Sequence, residues 1–276
     1  MTTPADIALF ISDMDGTLVT PEKTLTPRTV AAVAKLAQAG IGFSLISARP
    51  ARGMASAAEA LKVSLPIAAF NGGAVIAPDG AVLSARRLSA ELSRAAFALL
   101  AEHGADAWVF ADNEWLILNP NVPKIAREQR SVGFGPTLVD NFDAVIDRID
   151  KIVGVSDDLP LLQGAEADAQ ARWGHQATIG RSQPYYLDFT HQDANKGGGV
   201  TALCEHIGVP LSRTAVIGDM FNDVSMFKLA GYAIAMGQAP QAVKDQAQTV
   251  TGANTEDGFA DAVERLLAAR AAPALA

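Results

Sequence analysis

Two acidic residues, Asp13 and Asp15, lie directly after an apolar segment near the beginning of the chain. Carboxylates at the end of a buried strand cost free energy unless a partner compensates, and a hard cation such as Mg²⁺ is the usual partner. One carboxylate of such a pair can act as a nucleophile and the other as a proton donor. Gly16 permits a backbone turn that a Cβ atom would obstruct. The pair alone is a weak signal, since acids in a surface turn are commonly just solvated.

Three further segments carry residues that could act on a phosphorylated substrate. Ser47 follows an apolar strand, and its hydroxyl could donate to a phosphate oxygen or cap the helix that begins near Pro50. Lys196 begins a predicted helix, where the helix dipole disfavours a cation. Its charge could therefore neutralise a phosphate or keep the nucleophile ionised, with a solvated surface lysine as the alternative. Asp219 follows an apolar pair and a glycine and could complete a Mg²⁺ site with Asp13.

Two more polar residues, Asn222 and Asp223, lie at the start of the helix after Asp219. They could simply cap that helix, or they could orient the waters of a metal or the Lys196 ammonium. Ligands of open α/β sheets bind at the carboxyl ends of the strands. Because three of the four segments directly follow strands, we expect them to converge on one crevice.

The apolar pattern predicts the elements that position these residues. The first part of the chain alternates predicted strands with amphipathic helices and ends in a hairpin at 74–83; the strands are 7–12, 41–46 and 67–70, and the helices are 26–40 and 50–61. Strands that are apolar throughout and alternate with helices imply a parallel sheet covered on both faces.

The middle of the chain has a different pattern, with a hairpin at 107–118 and further strands around a helix at 159–173. After residue 188 the alternation of strands and helices returns, and helices are predicted at 196–207, 223–229, 241–247 and 258–271. We therefore predict an α/β fold whose Rossmann-like, mostly parallel core sheet is split by an inserted α+β domain. The predicted core is 1–84 and 189–276, and the predicted inserted domain is 85–188.

The composition of the chain limits the classes of function that it can have. The 276 residues carry a net charge of -8, which disfavours binding to nucleic acid or to an anionic membrane but is compatible with a small phosphorylated metabolite. The single cysteine, Cys204, excludes an internal disulfide. No basic leader followed by an apolar stretch is present, and no apolar run is long enough to span a bilayer. We expect a soluble cytoplasmic protein.

The motifs, taken in order, closely resemble those of the haloacid dehalogenase superfamily. They are Asp13-Met14-Asp15-Gly16-Thr17-Leu18, Ser47-Ala48-Arg49, Asn71-Gly72-Gly73, Lys196-Gly197 and Gly218-Asp219-Met220-Phe221-Asn222-Asp223. The long insertion makes the chain similar, more narrowly, to the Cof-type phosphatases, which carry a large α/β cap. Gln238 stands where that family usually has Asn.

The resemblance implies a role for each matching position. Asp13 would be the nucleophile and a metal ligand, and Asp15 the general acid/base with its backbone carbonyl on the metal. Ser47 and Lys196 would hold the transferring phosphoryl group. Asp219 would be the third metal contact.

The remaining candidates support the metal or the substrate rather than the reacting atoms. The resemblance places Asn222 and Asp223 beside Asp219, and four residues are candidates for supporting or substrate-binding contacts: Arg49, Asn71, Gly72 and His191. His191 is a candidate because the chain should be returning to the core there, and the alternative is a solvent-exposed loop histidine.

The implied activity is that of a Mg²⁺-dependent phosphatase. Such an enzyme hydrolyses small phosphate monoesters, such as sugar phosphates or cofactor phosphates, through an aspartyl-phosphate intermediate. A phosphomutase that passes the phosphoryl group to a sugar hydroxyl is one alternative. A catalytically idle binding protein of the same fold is the other, although such a protein would not need the acid pair together with Lys196 and Asp219.

Overall fold

The computed structural model describes residues 6–271. Its strands are β1 Leu9–Asp13, β2 Gly42–Ile46, β3 Ile67–Ala69, β4 Ala74–Ile76, β5 Val82–Ala85, β6 Asp106–Ala111, β7 Glu114–Ile117, β8 Thr137–Leu138, β9 Ile149–Val155, β10 Ala177–Gln183, β11 Tyr186–His191, β12 Thr214–Gly218, β13 Tyr232–Ala235 and β14 Thr249–Val250. Its helices are α1 Pro27–Gln38, α2 Ala55–Ala60, α3 Ala90–His103, α4 Ile125–Val132, α5 Leu159–Trp173, α6 Lys196–Ile207, α7 Val224–Phe227, α8 Gln241–Lys244 and α9 Gly258–Ala271.

The chain forms two compact units. The first unit contains the described residues up to Ala48, Met54–Ser84, and those from Asn195 onward. The second unit contains Arg49–Gly53 and Ala85–Ala194. The second unit thus consists of two segments that interrupt the sequence of the first.

The first unit is built on an eight-stranded sheet with the order β14-β13-β12-β1-β2-β3-β4-β5. Strands β14 to β3 pair in parallel, and β4 runs antiparallel to β3. The predicted mostly parallel α/β core is therefore confirmed. Because β12, β1, β2 and β3 are neighbours that run in the same direction, their carboxyl ends lie along one edge of the sheet.

Both faces of this sheet are covered, as the apolar strands predict. Leu9 and Ile11 of β1 pack in a buried cluster with Val200 of α6. Phe10 points to the opposite face, where its ring meets Phe259 of α9 edge-on at 5.9 Å between centroids. Alternation along one strand thus fixes which side of the sheet each helix covers.

The predicted helices differ from the observed ones mainly where polar loops carry site residues. The segment predicted as one helix at 50–61 is a 3-10 turn, Ala51–Met54, followed by the short α2. The segment at 223–229 is likewise a 3-10 turn, Phe221–Asp223, that leads into α7. Short 3-10 turns are common in the connection between a strand and the first turn of a helix.

The second unit has a six-stranded sheet with the order β10-β11-β9-β6-β7-β8. The pairing is antiparallel except for β7 with β8. Helices α3 and α5 pack on one face, where Leu99, Leu162 and Phe189 belong to a buried cluster. The predicted α+β character of the insertion is confirmed, but α4 and β8 were not predicted. Helix α4 is short and buries only Val132, and β8 has two residues that are both exposed.

The boundaries of the two units differ from the predicted domain boundaries. Residues 189–194 group with the second unit and not with the core, because β11 runs on to His191 and pairs with Ala177 of β10. The short segment Arg49–Gly53 also groups with the second unit. The functional division into core and cap stays a prediction.

Two smaller expectations concern the chain as a whole. No helix within residues 6–271 is long and apolar enough to cross a membrane. Cys204 is buried on α6, as predicted for a small apolar residue. The first five residues, which bear on the expected absence of a leader, lie outside the described part of the chain.

Candidate active site

Three candidate residues lie at the carboxyl ends of three adjacent parallel strands. Asp13 ends β1, Ser47 follows β2, and Asp219 follows β12, which pairs with β1 on its other side. All three are buried. Ser47 is held by its backbone, whose N–H donates to Ala68 at 3.0 Å and whose carbonyl accepts from Asn71 at 2.7 Å. The convergence expected from the sequence is thus present within the first unit.

Lys196 lies at the start of α6 and is buried, with 1% of its side chain exposed. Its ammonium donates to Asp13 Oδ1 at 2.5 Å and to Asp223 Oδ1 at 2.6 Å. Asn195 caps the helix by accepting from the Gly198 N–H. The alternative of a solvated surface lysine is therefore wrong, and the lysine lies where it can hold the nucleophile ionised.

Close backbone packing positions the start of α6. Gly72 has a φ of +89°, and a Cβ atom built on it would lie 2.5 Å from Gly199 Cα. A side chain at Gly72 would push α6 away, and Lys196 with it. On the other side, the Gly197 N–H donates to Ser225 Oγ at 2.9 Å. The glycines that follow Lys196 thus allow two loops to approach the helix closely.

Asp223 organises the loop after β12. Its Oδ2 accepts from the backbone N–H groups of Asp219 at 2.9 Å and Met220 at 2.8 Å, while its Oδ1 accepts from Lys196. The carboxylate therefore closes the turn and orients the lysine at the same time. Two of the possibilities that the sequence left open for Asp223, a cap and a support for Lys196, are present together.

Asp219 packs against the loop that follows Asp13. Thr17 Oγ1 donates to Asp219 Oδ1 at 3.3 Å. Gly16 has a φ of +84°, and a Cβ atom on it would collide with the Asp219 carboxylate. Glycine at position 16 therefore serves the turn and also leaves room for the acid of the neighbouring strand.

The buried charges shift one another's pKa values. Burial raises the pKa of Asp13 to about 7, against the lowering effect of Lys196, and Asp223 and Asp219 add to the rise. Burial likewise raises the pKa of Asp219 to about 6, with Asp223 as the next cause. Burial alone would lower the pKa of Lys196, but Asp13 and Asp223 outweigh it and hold this pKa above its ordinary value.

The acidic cluster can hold a divalent metal. Oxygen atoms of Asp13, Asp219 and Asp223 lie within 4.8 Å of one another. Three buried carboxylates beside one ammonium leave excess negative charge, which a hard cation with oxygen ligands would neutralise. Since Asp223 already accepts three hydrogen bonds, Asp13 and Asp219 are the better ligands of the three.

The other candidates of the first unit lie in the loops around this cluster. Asn222 Nδ2 donates to Asn71 Oδ1 at 3.1 Å, so these two predicted residues are in direct contact. Asn71 adopts a φ of +56°, in the left-handed region that Asn tolerates better than most residues. Asp15, two residues after Asp13, forms an ion pair with Lys23 at 2.6 Å.

Arg49 and His191 belong to the second unit. The Arg49 guanidinium donates to the Gly53 carbonyl at 3.2 Å. His191 is the last residue of β11 rather than part of a loop, and its Nδ1 accepts from the Asp193 N–H at 3.1 Å. Its Nε2 therefore carries the proton in the neutral ring and can donate. His191 also lines a cavity of about 300 Å³ in this unit, together with Arg87 and other residues.

Three contributors to the site were not assigned a role from the sequence. Thr17 lay within a motif but was given no contact. Gln238 donates from Nε2 to the Gly16 carbonyl and accepts from the Asn254 N–H, so the longer side chain ties two loops together. Ser225 holds the start of α6. Of the three, only Gln238 was marked in the sequence, by its departure from the usual Asn. Contacts between loops leave no periodic pattern in the sequence, so the other two contacts could not be predicted.

Comparison with known proteins shows similarity along most of the chain. A family model described as haloacid dehalogenase-like hydrolase matches residues 10–263. The pyridoxal phosphate phosphatase of Escherichia coli is 28% identical over 90% of this chain and 94% of that protein. The HMP-PP phosphatase of Cronobacter sakazakii is 30% identical over 82% of this chain and 83% of that protein.

A solved structure agrees with these matches. The crystal structure of a haloacid dehalogenase-like hydrolase from Bacteroides thetaiotaomicron is similar with a TM-score of 0.87 and 28% identity. The similarity covers 94% of this chain and 99% of that one. Both units of the chain thus fall within the compared length.

Proposed function

The chain belongs to the haloacid dehalogenase-like hydrolases as an enzyme of the Cof-type phosphatase group, and we propose that it is a Mg²⁺-dependent hydrolase of small phosphate monoesters. We propose further that the reaction passes through an aspartyl-phosphate on Asp13. One observation carries the proposal: the Lys196 ammonium bridges Asp13 and Asp223 beside Asp219, all buried at one sheet edge.

Asp13 is the proposed nucleophile. An Asp13 oxygen attacks phosphorus in line with the ester oxygen, and the ester bond breaks. Lys196 favours the ionised form of Asp13 against the effect of burial and, with the buried Ser47, offsets charge on the equatorial phosphoryl oxygens. When bound, Mg²⁺ would supply Lewis-acid stabilisation of those oxygens, with Asp13 and Asp219 as its side-chain ligands.

Asp15 is the proposed general acid and base. It gives its proton to the leaving alkoxide in the first step. In the second step it takes a proton from the water that attacks the phosphorylated Asp13. Its position two residues from the nucleophile supports this role, because both side chains then serve one substrate.

The substrate is proposed as a small phosphorylated metabolite. The relatives named above are named as phosphatases of pyridoxal phosphate and of HMP-PP. Sugar phosphates and cofactor phosphates are both proposed as candidates for this chain. We propose that contacts from the second unit select among them, because the groups around Asp13 serve the phosphoryl group alone.

A panel of phosphorylated metabolites, assayed for phosphate release with Mg²⁺, tests the proposed function. We expect turnover of at least one monoester, with free phosphate and the dephosphorylated alcohol as products. A phosphomutase would instead yield an isomeric phosphate ester without free phosphate. Absence of turnover on every member would count against the proposal.

His191→Ala is expected to change the ranking of substrates in that panel. The reason is that the Nε2–H of His191 can donate to non-reacting groups of a substrate, which affects affinity rather than chemistry. Hydrolysis of a minimal aryl phosphate should change by less than about twofold, because such a substrate lacks those groups.

The matched control is His103→Ala, which removes a half-buried histidine of the same unit that pairs with Asp168. We expect this control to leave the ranking intact. Equal loss on every substrate in His191→Ala would indicate a role in the chemistry, and no change on any would indicate none.

A further inference from the structure

The ion pair between Lys23 and Asp15 joins the proposed acid/base to a residue eight positions later. Lys23 Nζ lies 2.6 Å from Asp15 Oδ1, and the two side chains are 45% and 34% exposed. An exposed ion pair of this kind contributes little to the stability of a fold, because water and salt screen it. Its position on a proposed reacting group therefore calls for another explanation.

A tight turn presents Lys23 to Asp15. The Thr20 N–H donates to the Thr24 carbonyl at 3.0 Å, and the Lys23 N–H donates to the Thr20 carbonyl at 2.9 Å. The hydroxyls of Thr20 and Thr24 also bond to each other at 2.9 Å. Before the turn, Val19 forms an isolated bridge with Asp15, which brings the turn back beside the acid.

The backbone of Lys23 is strained. Its φ is +62°, in the left-handed region that a side chain such as lysine rarely adopts. Such strain persists only where the surrounding hydrogen bonds over-determine the conformation, and it is common at functional sites. The turn around Thr20 and Thr24 supplies those bonds. This strained backbone conformation directs the Lys23 ammonium toward Asp15.

The Asp15 carboxylate is more exposed than the other site carboxylates, so an ion pair that holds it in place has more effect there. Asp13 and Asp223 are buried and share the Lys196 ammonium, whereas a third of the Asp15 side chain is exposed. A general acid must lie within hydrogen-bond reach of the oxygen that it protonates, and small misplacements cost rate.

We propose that Lys23 is a positioning residue that holds the Asp15 carboxyl group in place for proton transfer; the inference rests on the proposed function. In the first step the Asp13–phosphorus bond forms, the ester bond breaks, and the Asp15 proton goes to the leaving oxygen. In the second step a water oxygen bonds to phosphorus, the bonding pair returns to Asp13, and the water proton goes to Asp15. Lys23 itself transfers no proton.

The dependence of rate on the leaving group tests this inference. Lys23→Met removes the ammonium and keeps the length of the side chain. We expect kcat/KM for an alkyl phosphate to fall about tenfold more than kcat/KM for p-nitrophenyl phosphate, because nitrophenolate leaves with little need of an acid. The ratio kcat/KM is the proper measure, since it reports the steps up to the departure of the leaving group. Equal losses on both substrates would overturn the inference.

Three further variants check that the effect comes from the Lys23 ammonium. Lys23→Arg retains a cation and should restore most of the alkyl phosphate activity. Lys23→Gly removes the ammonium and relieves the positive φ, so it should reproduce the leaving-group effect even if Lys23→Met folds poorly. Lys35→Met is the matched control, since Lys35 forms an ion pair with Glu264 at 2.9 Å at similar exposure in the same unit. This control should lose nothing on either substrate.

The variant Asp15→Asn separates failure of the inference from failure of the proposed function. If Asp15 is the acid, Asp15→Asn should show a larger leaving-group effect than Lys23→Met. An effect in Asp15→Asn without one in Lys23→Met would overturn only the role of Lys23. No leaving-group effect in Asp15→Asn would overturn the acid role of Asp15, and the inference with it.

Discussion

Replacement of Asp13 by asparagine is expected to lower Mg²⁺-dependent phosphate release by far more than about 10³-fold, beyond the loss from a single electrostatic donor. The amide is neither a nucleophile toward phosphorus nor an anionic metal ligand. Lys196 would also lose one of its two carboxylate partners, although Asp223 remains at 2.6 Å. Initial rates of phosphate release from the best substrate of the panel measure the effect.

The fold of Asp13→Asn should be retained, because asparagine has nearly the size of aspartate and the strand backbone is unchanged. Circular dichroism and the midpoint of thermal unfolding check this. Asp245→Asn is the matched control: Asp245 is an exposed carboxylate of the first unit that accepts from Gln241 at 2.7 Å. Its activity should match that of the wild type. Appreciable phosphatase activity in Asp13→Asn would show that Asp13 is not the nucleophile.

Removal of divalent metal is expected to stop turnover, and added Mg²⁺ is expected to restore it. The physical reason is the cluster of Asp13, Asp219 and Asp223, whose oxygen atoms lie within 4.8 Å of one another. The negative charge of these carboxylates exceeds the single positive charge of Lys196. Phosphate release measured after chelation and during titration with Mg²⁺ gives the requirement. Full turnover by the wild type without any divalent metal would contradict the site as described.

Asp219→Ala should raise the Mg²⁺ requirement or eliminate activity, because a hard-cation site weakens with each carboxylate that it loses. Asp219→Asn serves as the companion variant, since its amide oxygen can still accept from Thr17 Oγ1, which lies 3.3 Å from Asp219 Oδ1. A similar rise in both variants would assign the effect to the lost charge. A rise in the alanine variant alone would assign it to packing of the loop.

Much of the first unit could be predicted because its strands are apolar from end to end and its site residues follow them directly. The ends of β1 and β12 carry Asp13 and Asp219, and adjacency of parallel strands brings such ends together. Lys196 was predicted from the unusual position of a lysine at a helix start. Its burial explains that position, because Asp13 and Asp223 offset the cost of the charge.

The contacts that could not be predicted depend on loops and on tertiary packing. Nothing in the spacing of Lys23 shows that a strained turn directs it to Asp15. Gln238 reaches the Gly16 carbonyl across a sequence separation of 222 residues, which no local pattern encodes. His191 was expected beyond the end of a strand, but cross-strand pairing extends β11 to include it. Strand ends are set by the partner strand, which the sequence of one strand does not contain.

The stereochemical course at phosphorus tests the central claim most directly. A phosphorothioate monoester made chiral at phosphorus with two oxygen isotopes is hydrolysed by the wild-type enzyme in water of the third isotope, and the configuration of the released thiophosphate is determined. Attack by Asp13 followed by attack of water inverts phosphorus in each step, so the account predicts net retention. Net inversion would mean that water attacks the ester directly, and would contradict the aspartyl-phosphate on Asp13.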